Sequence, residues 1–331
     1  YINYLIVMGV SSMNKNPLLS IIVPVYNTEK YLSRCLETIL NQSMNDYEVI
    51  IINDASPDNS DAIIQNRIGG LKNVKYCALK KNIGVGNARN VGIKQSTGQY
   101  IGFVDSDDWI DSSFYEVMMQ SIINNNTDVC ISGIKTEIDD VYFPRYRYKY
   151  PFNTVIDGKF ALHSLTDMYN HDTRISPIVN NKIYRKSLIK DNKLLFDKFR
   201  KSQDNYFSFM VLVYAEKISL VENTFYHYYQ RTGSATSEFS KSYIDDYVFI
   251  LNSLKATLLK RNIFSDFEQE YISYTNRCIT ALINNLFSRE QDERIQKDYL
   301  LYILNATTKI LPINVLIENI DIERFKRFWQ I

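Results

Sequence analysis

Three carboxylates fall within four positions at Asp105, Asp107 and Asp108, with Ser106 between them. They follow directly on the apolar run Tyr100-Ile101-Gly102-Phe103-Val104, which reads as a buried strand running into an acidic turn. Like charges packed so closely repel, and something must offset that cost. A hard divalent cation with a phosphate ligand is one answer, because Mg²⁺ is commonly held by one or two carboxylates plus substrate phosphates. A solvated turn that caps the following helix, with Asp111 or Ser112 as N-cap, is the other. Two earlier apolar runs also end in polar turns, one at Asn27 and one at Asn53-Asp54. In open α/β sheets ligands bind in the crevice outside the carboxyl ends of the strands. Asn27, Asp54 and the acidic turn are therefore expected along one edge.

The elements that must hold these residues alternate in type. Residues 18–27, 47–52, 74–78 and 128–134 are β-branched or otherwise apolar and predict buried strands. Between the first two, Leu32, Leu36, Ile39 and Leu40 follow the spacing of an apolar helix face, with Thr28 as the expected N-cap. Residues 112–126 predict another helix. Alternating strands and helices mean right-handed βαβ crossovers and a mostly parallel sheet. The glycines at Gly84, Gly86 and Gly92 match neither the Rossmann nor the Walker spacing, so this stretch predicts a helix packed close to the sheet, with Arg89 reaching a ligand. Residues 142–150 are aromatic, basic and irregular and predict an exposed loop. Beyond Tyr243 three stretches repeat at helical spacing, and the end, Arg324-Phe-Lys-Arg-Phe-Trp329, mixes cationic and aromatic residues as an interfacial anchor or a docked terminal helix would.

Composition excludes several classes. A net charge of +1 gives no electrostatic case for nucleic acid. No stretch approaches the roughly 18 apolar residues of a transmembrane helix. Cys35, Cys77, Cys130 and Cys278 are scattered without a C-x-x-C pair and read as free thiols in a reducing compartment.

Taken together, Ile21-Ile-Val-Pro-Val-Tyr-Asn27, Asn53-Asp54-Ala-Ser56, Asn82-Ile-Gly84, Ala88-Arg89-Asn90, Asp105-Ser-Asp107-Asp108, Asn181-Lys182 and Gln203-Asp204 occur in an order that resembles the family-2 inverting glycosyltransferases. The resemblance implies a GT-A type α/β fold, with a mostly parallel central sheet flanked by helices, a Rossmann-like nucleotide-binding half and a C-terminal helical extension. It divides the chain into an N-terminal extension (1–16), a glycosyltransferase domain (17–237) and a helical C-terminal region (238–331).

It also implies roles. Asp204 matches the general base that deprotonates an acceptor hydroxyl. A nucleotide-sugar donor, as a UDP-sugar, would be gripped by Pro24, Val25, Tyr26, Asn27, Glu29 and Asp54, with Arg89 on the nucleotide and Asp105 and Ser106 near the ribose. Asp107 would coordinate Mn²⁺ or Mg²⁺ on the diphosphate, and Lys182 and Arg231 would face diphosphate or sugar. The reaction implied is a single displacement with inversion, moving a hexosyl or N-acetylhexosaminyl group to a surface-glycan or lipid-linked acceptor. A cytoplasmic protein is expected, peripheral at the inner face of the plasma membrane through its C-terminal region. Gln203 stands where the family has Glu, and Asn53-Asp54-Ala55 replaces Asp-Asp-Gly. The alternatives are a non-catalytic nucleotide-sugar-binding subunit, which has no need of a base, and a nucleotidyltransferase, which wants a glycine- and arginine-rich loop where Pro24–Asn27 stands.

Overall fold

A computed structural model describes residues 5–8, 16–138, 141–146, 154–166, 175–197, 202–230, 239–290 and 292–311. In chain order they form β1 (Leu5–Met8), β2 (Leu19–Val25), α1 (Glu29–Leu40), β3 (Tyr47–Asn53), α2 (Ser60–Ile68), β4 (Val74–Ala78), α3 (Val85–Gln95), β5 (Tyr100–Phe103), β6 (Trp109–Ile110) and α4 (Phe114–Asn124). There follow β7 (Val129–Ile138), β8 (Val141–Tyr146), β9 (Thr154–Asp157), α5 (Gly158–Thr166), β10 (Lys182–Arg185), α6 (Lys186–Asp191), α7 (Gln203–Tyr214), β11 (Lys217–Tyr229), α8 (Lys241–Lys260), α9 (Glu268–Arg289) and α10 (Glu293–Thr307).

One sheet runs in the order β1-β4-β3-β2-β5-β10-β7-β11-β6, with β8 on β7 and β9 on β11. The block β4-β3-β2-β5 is parallel, as the βαβ alternation predicts. β10 then enters antiparallel between β5 and β7. Because β10 is reversed twice over, β7 and its parallel partner β11 point the same way as β5. The carboxyl ends of six strands and the amino end of β10 therefore share one edge.

The strands are buried on both faces, which is why they read as continuous apolar runs. Leu19, Ile21, Val23 and Val25 of β2 pack with α1 and α4, whereas Ile22 faces α3, α5 and α7 on the other side. β3 divides the same way, with Val49 and Ile51 against Ile50 and Ile52. Each fully buried side chain of this kind contributes about 1.5–3 kcal/mol. The three expected C-terminal helices are present as α8, α9 and α10, and they join the core on the α5 and α7 side, with Leu251, Leu254, Ile279 and Leu282 fully buried.

Two expectations change. Part of the predicted loop is a strand, since residues 141–146 pair antiparallel with β7. Within the expected N-terminal extension, Leu5–Met8 pairs with β4 at the sheet edge. Residues 324–329 lie outside the described residues. Among the described residues no helix is long and apolar enough to cross a membrane, and all four cysteines are buried and free.

Candidate active site

The acidic turn follows β5 at the shared edge, and its carboxylates part company there. Asp105 turns toward α3 and α7. Its Oδ1 accepts from Arg89 Nη2 at 2.7 Å and its Oδ2 from Asn180 Nδ2 at 2.8 Å. Arg89 is only 3% exposed, and its other amino group, Nη1, donates to Asp204 Oδ1 at 2.6 Å. One guanidinium thus bridges the strand-end carboxylate and the carboxylate in the first turn of α7. The fork geometry of arginine suits it to serve two acceptors at once. Arg89 was expected to reach a ligand; in the structure its two amino groups reach these carboxylates.

Asp204 keeps about a quarter of its side chain open, and Asp105 slightly more. Burial pushes the Asp204 carboxyl up, the Arg89 charge opposes this, and the Asp105 charge adds to it. Its other oxygen takes a long 3.5 Å bond from Val179 N. A helix N-terminus favours a carboxylate in its first turn, so Asp204 sits where an ionised oxygen can remain available.

Asp108 turns the other way. It is 1% exposed, accepting from Tyr226 Oη at 2.5 Å and from Tyr229 N at 2.8 Å. Burial and then the Asp107 and Asp105 charges push its carboxyl well above the usual range, against the Tyr226 hydrogen bond. Tyr226 Oη also accepts from Asp105 N and Asn180 Nδ2, at 3.1 and 3.0 Å, and so sits at the centre of the turn. Asp111, offered as an N-cap, accepts from Phe225 N and pairs with His227 Nε2, tying the turn to β11.

The expected Mn²⁺ or Mg²⁺ at Asp107 requires correction. On either side of Asp107, Asp105 and Asp108 have both oxygens committed to protein donors. Among the described residues no group of three or more His, Cys, Asp or Glu side chains is placed to hold a metal ion. The donor set does not fit a hard divalent cation, which wants several unencumbered oxygens.

At the β2 end, Pro24 and Val25 are buried, while Tyr26 and Asn27 are exposed. Asn27 adopts a left-handed backbone at φ 54° and donates its N–H to Ser56 Oγ at 3.2 Å. This corner can present one aromatic ring and one amide to a ligand. Thr28 does not cap α1 with its side chain; its hydroxyl donates instead to buried Ser106 at 2.9 Å, fixing the acidic turn to the start of α1. Glu29 accepts from Asn59 N and Nδ2, and its N–H donates to Asp58. These bonds make it a brace between two corners.

Asp54 is 1% exposed, and its two oxygens accept from Ile83 N and Gly84 N, each at 2.8 Å. Gly84, at φ +86°, allows the chain to turn both N–H groups onto one carboxylate before α3 begins. Burial raises the Asp54 carboxyl while those two bonds oppose it. A Cβ at Gly86 would meet the end of the Gln203 side chain and Phe196 Cβ, so glycine there leaves room for Gln203 beside α3.

Lys182 was expected to face diphosphate or sugar. It is 1% exposed and donates to Ser176 O, Ile178 O and Asn181 Oδ1, at 2.7, 2.5 and 2.8 Å. An ammonium has three donors, and all three are used inside the protein. Arg231 lies outside the described residues. Sequence reasoning missed Asn180 and Tyr226, which join the two halves of the turn. Asn180 neighbours the quoted Asn181-Lys182 pair, but nothing in the sequence signals that β10 inserts beside β5 and carries it there.

Comparison with known proteins fits this architecture. The chain is 28% identical over 265 residues to the putative glycosyltransferase EpsH of Bacillus subtilis strain 168, covering 77% of this chain and 73% of EpsH. It is 30% identical over 235 residues to the uncharacterised glycosyltransferase EpsJ of the same strain, covering 70% and 67%. Poly(ribitol-phosphate) β-N-acetylglucosaminyltransferase TarS of Staphylococcus aureus (strain Mu50 / ATCC 700699) is 29% identical over 278 residues, or 81% of this chain but 45% of TarS. The crystal structure of S. aureus TarS 1–349 in complex with UDP superposes with a TM-score of 0.67 at 22% identity, covering 90% of this chain and 82% of that one. That likeness carries the fold. The glycosyl transferase family 2 model matches residues 20–192, more than half of the 331, and the chain belongs to glycosyl transferase family 2.

Proposed function

We propose that the protein transfers a hexosyl or N-acetylhexosaminyl group from a UDP-sugar to a hydroxyl of a glycan acceptor, by one displacement with inversion and Asp204 as general base. The observation that carries this reading is the Asp105–Arg89–Asp204 bridge. It sets a partly open, raised carboxylate beside the strand edge where a nucleotide would lie. A base raised toward the working pH gains proton affinity while staying ionised often enough to act.

In the reaction, an acceptor hydroxyl gives its proton to Asp204 as its oxygen forms a bond to the anomeric carbon. The bond from that carbon to the diphosphate oxygen breaks, and its electron pair leaves with UDP. One carboxylate suffices because UDP needs no protonation to depart. Tyr26 and Asn27 at the β2 corner are the donor contacts we favour, with Asp105 toward the ribose. Asp54 shapes the pocket by holding the Ile83–Gly84 turn.

The relatives supply candidate substrates: TarS is named for N-acetylglucosamine transfer to poly(ribitol-phosphate), and another relative for glucose transfer to the same polymer. Work on a surface polysaccharide at the membrane's inner face would be consistent with such partners. The test is UDP release by the purified protein from UDP-GlcNAc, UDP-glucose, UDP-galactose and UDP-GalNAc, with poly(ribitol-phosphate) and with water as acceptor. Release from one of the four supports the reading, and none above blank with any contradicts it.

A further inference from the structure

The segment from Ser176 to Asn181 reaches across the edge of the sheet and touches both functional carboxylates. It offers Val179 N to Asp204 and Asn180 Nδ2 to Asp105. Its own backbone is pinned carbonyl by carbonyl. Ser176 O and Ile178 O accept from Lys182, Pro177 O accepts from Ser208 Oγ at 2.6 Å, and Val179 O accepts from Tyr184 Oη at 3.1 Å. Four successive carbonyls are thus fixed by side chains from β10 and from α7 itself. Ser208 stands one turn after Asp204, so the segment is registered to the same helix that carries the base.

Lys182 holds two of the four carbonyls. It is buried, and among the described residues no carboxylate is in hydrogen-bond contact with it, a costly position for a charge unless its donors are satisfied. A surface loop has no need of such an arrangement. A segment that must hold two carboxylates in register does, because displacement of catalytic groups by about 1 Å can cost about a hundredfold in rate.

We infer that Lys182 is a positioning residue for sugar transfer, locking the Ser176–Asn181 segment in the conformation that aims Val179 N at Asp204 and Asn180 at Asp105. The inference rests on Asp204 being the base. It replaces a role at the diphosphate with one behind the catalytic carboxylate.

The charge state of Lys182 offers an independent readout. Burial lowers its ammonium to about 7, with Asp204 on α7 the charged group that opposes this among the described residues. The acceptors around it, two carbonyls and the Asn181 amide, are neutral. A neutral amine has two N–H donors for three acceptors, so the lock weakens as pH rises through that value.

The experiment measures UDP release from the best UDP-sugar by wild type, Lys182→Met, Ser208→Ala and Tyr184→Phe, together with UDP affinity by calorimetry and a pH profile of kcat. We expect Lys182→Met to lower kcat about a hundredfold, with UDP affinity within threefold of wild type. Ser208→Ala and Tyr184→Phe, which each remove one anchor and no charge, should lower kcat several-fold. The wild-type kcat should fall above about pH 7, and the residual activity of Lys182→Met should lack that fall. Lys182→Met that binds UDP normally and keeps kcat within threefold overturns the inference. Should that variant not fold, unchanged kcat in both Ser208→Ala and Tyr184→Phe overturns it. Wild type without turnover on any UDP-sugar removes the functional reading and this role with it, an outcome distinct from turnover that ignores Lys182.

Discussion

Asp105 is held by a guanidinium and an amide and stays partly open, whereas Asp108, three residues on, is sealed among a phenol and a backbone N–H. The two take their side-chain partners from different elements. Arg89 and Asp204 come from α3 and α7 on one face, and Tyr226 and Tyr229 come from β11 at the far end. Side chains clustered in sequence are sorted by the fold into what we propose as a chemical half and a structural half. The contrast teaches that an acidic run need not act as one ligand set.

The comparison is broken most forcefully at its chemical half. Asp204→Asn should lower transfer about a thousandfold, within the range for loss of a general base, while UDP affinity by calorimetry changes only a few-fold. A variant that retained a tenth of wild-type turnover would remove Asp204 from its role. Arg89→Met leaves two neighbouring carboxylates without their shared cation. Breaking a buried pair costs about 3–5 kcal/mol, and the partial exposure of both acids discounts this to about 2–3 kcal/mol, read as a lower urea midpoint.

The structural half has a pH signature of its own. The folded-state carboxyl of Asp108 is raised above its unfolded value. Its contribution is therefore full below the unfolded value near 3.8 and is lost as pH rises through the folded one. Wild-type unfolding free energy should carry a downward slope from this group above pH 4, and Asp108→Asn should flatten it; an unchanged slope would mean that Asp108 is not titrating as a buried acid. Glu29→Gln is the mildest change. It weakens a half-exposed brace by less than about 1 kcal/mol and should leave UDP affinity unaltered. A tenfold loss of affinity would restore Glu29 to the donor site.

Much of the fold was legible because its strands are buried on both faces and its helices alternate with them. β2, β3 and β4 and the three C-terminal helices appear where apolar runs and helical spacing put them. What escaped was the insertion of β10. A four-residue antiparallel strand carries no periodicity of its own, yet it brings Asn180 and Lys182 to the edge that carries Asp105 and Asp204. Residue type also does not say what a side chain is bonded to. Lys182 is cationic but faces inward, Glu29 is acidic but joins two corners, and the carboxylates flanking Asp107 answer to protein donors and not to a metal. The Asp105–Arg89–Asp204 bridge could not be seen in sequence, because it joins α3, the turn after β5 and α7, whose approach only the tertiary fold sets.

The central claim is that a single carboxylate, Asp204, activates the acceptor on the face of the sugar opposite UDP. The most direct measurement is the anomeric configuration of the product formed from an α-linked UDP-sugar such as UDP-GlcNAc, read from the anomeric proton coupling by NMR. The account predicts a β-linked product. An α-linked product would contradict it, because retention requires a second displacement or a different geometry of attack.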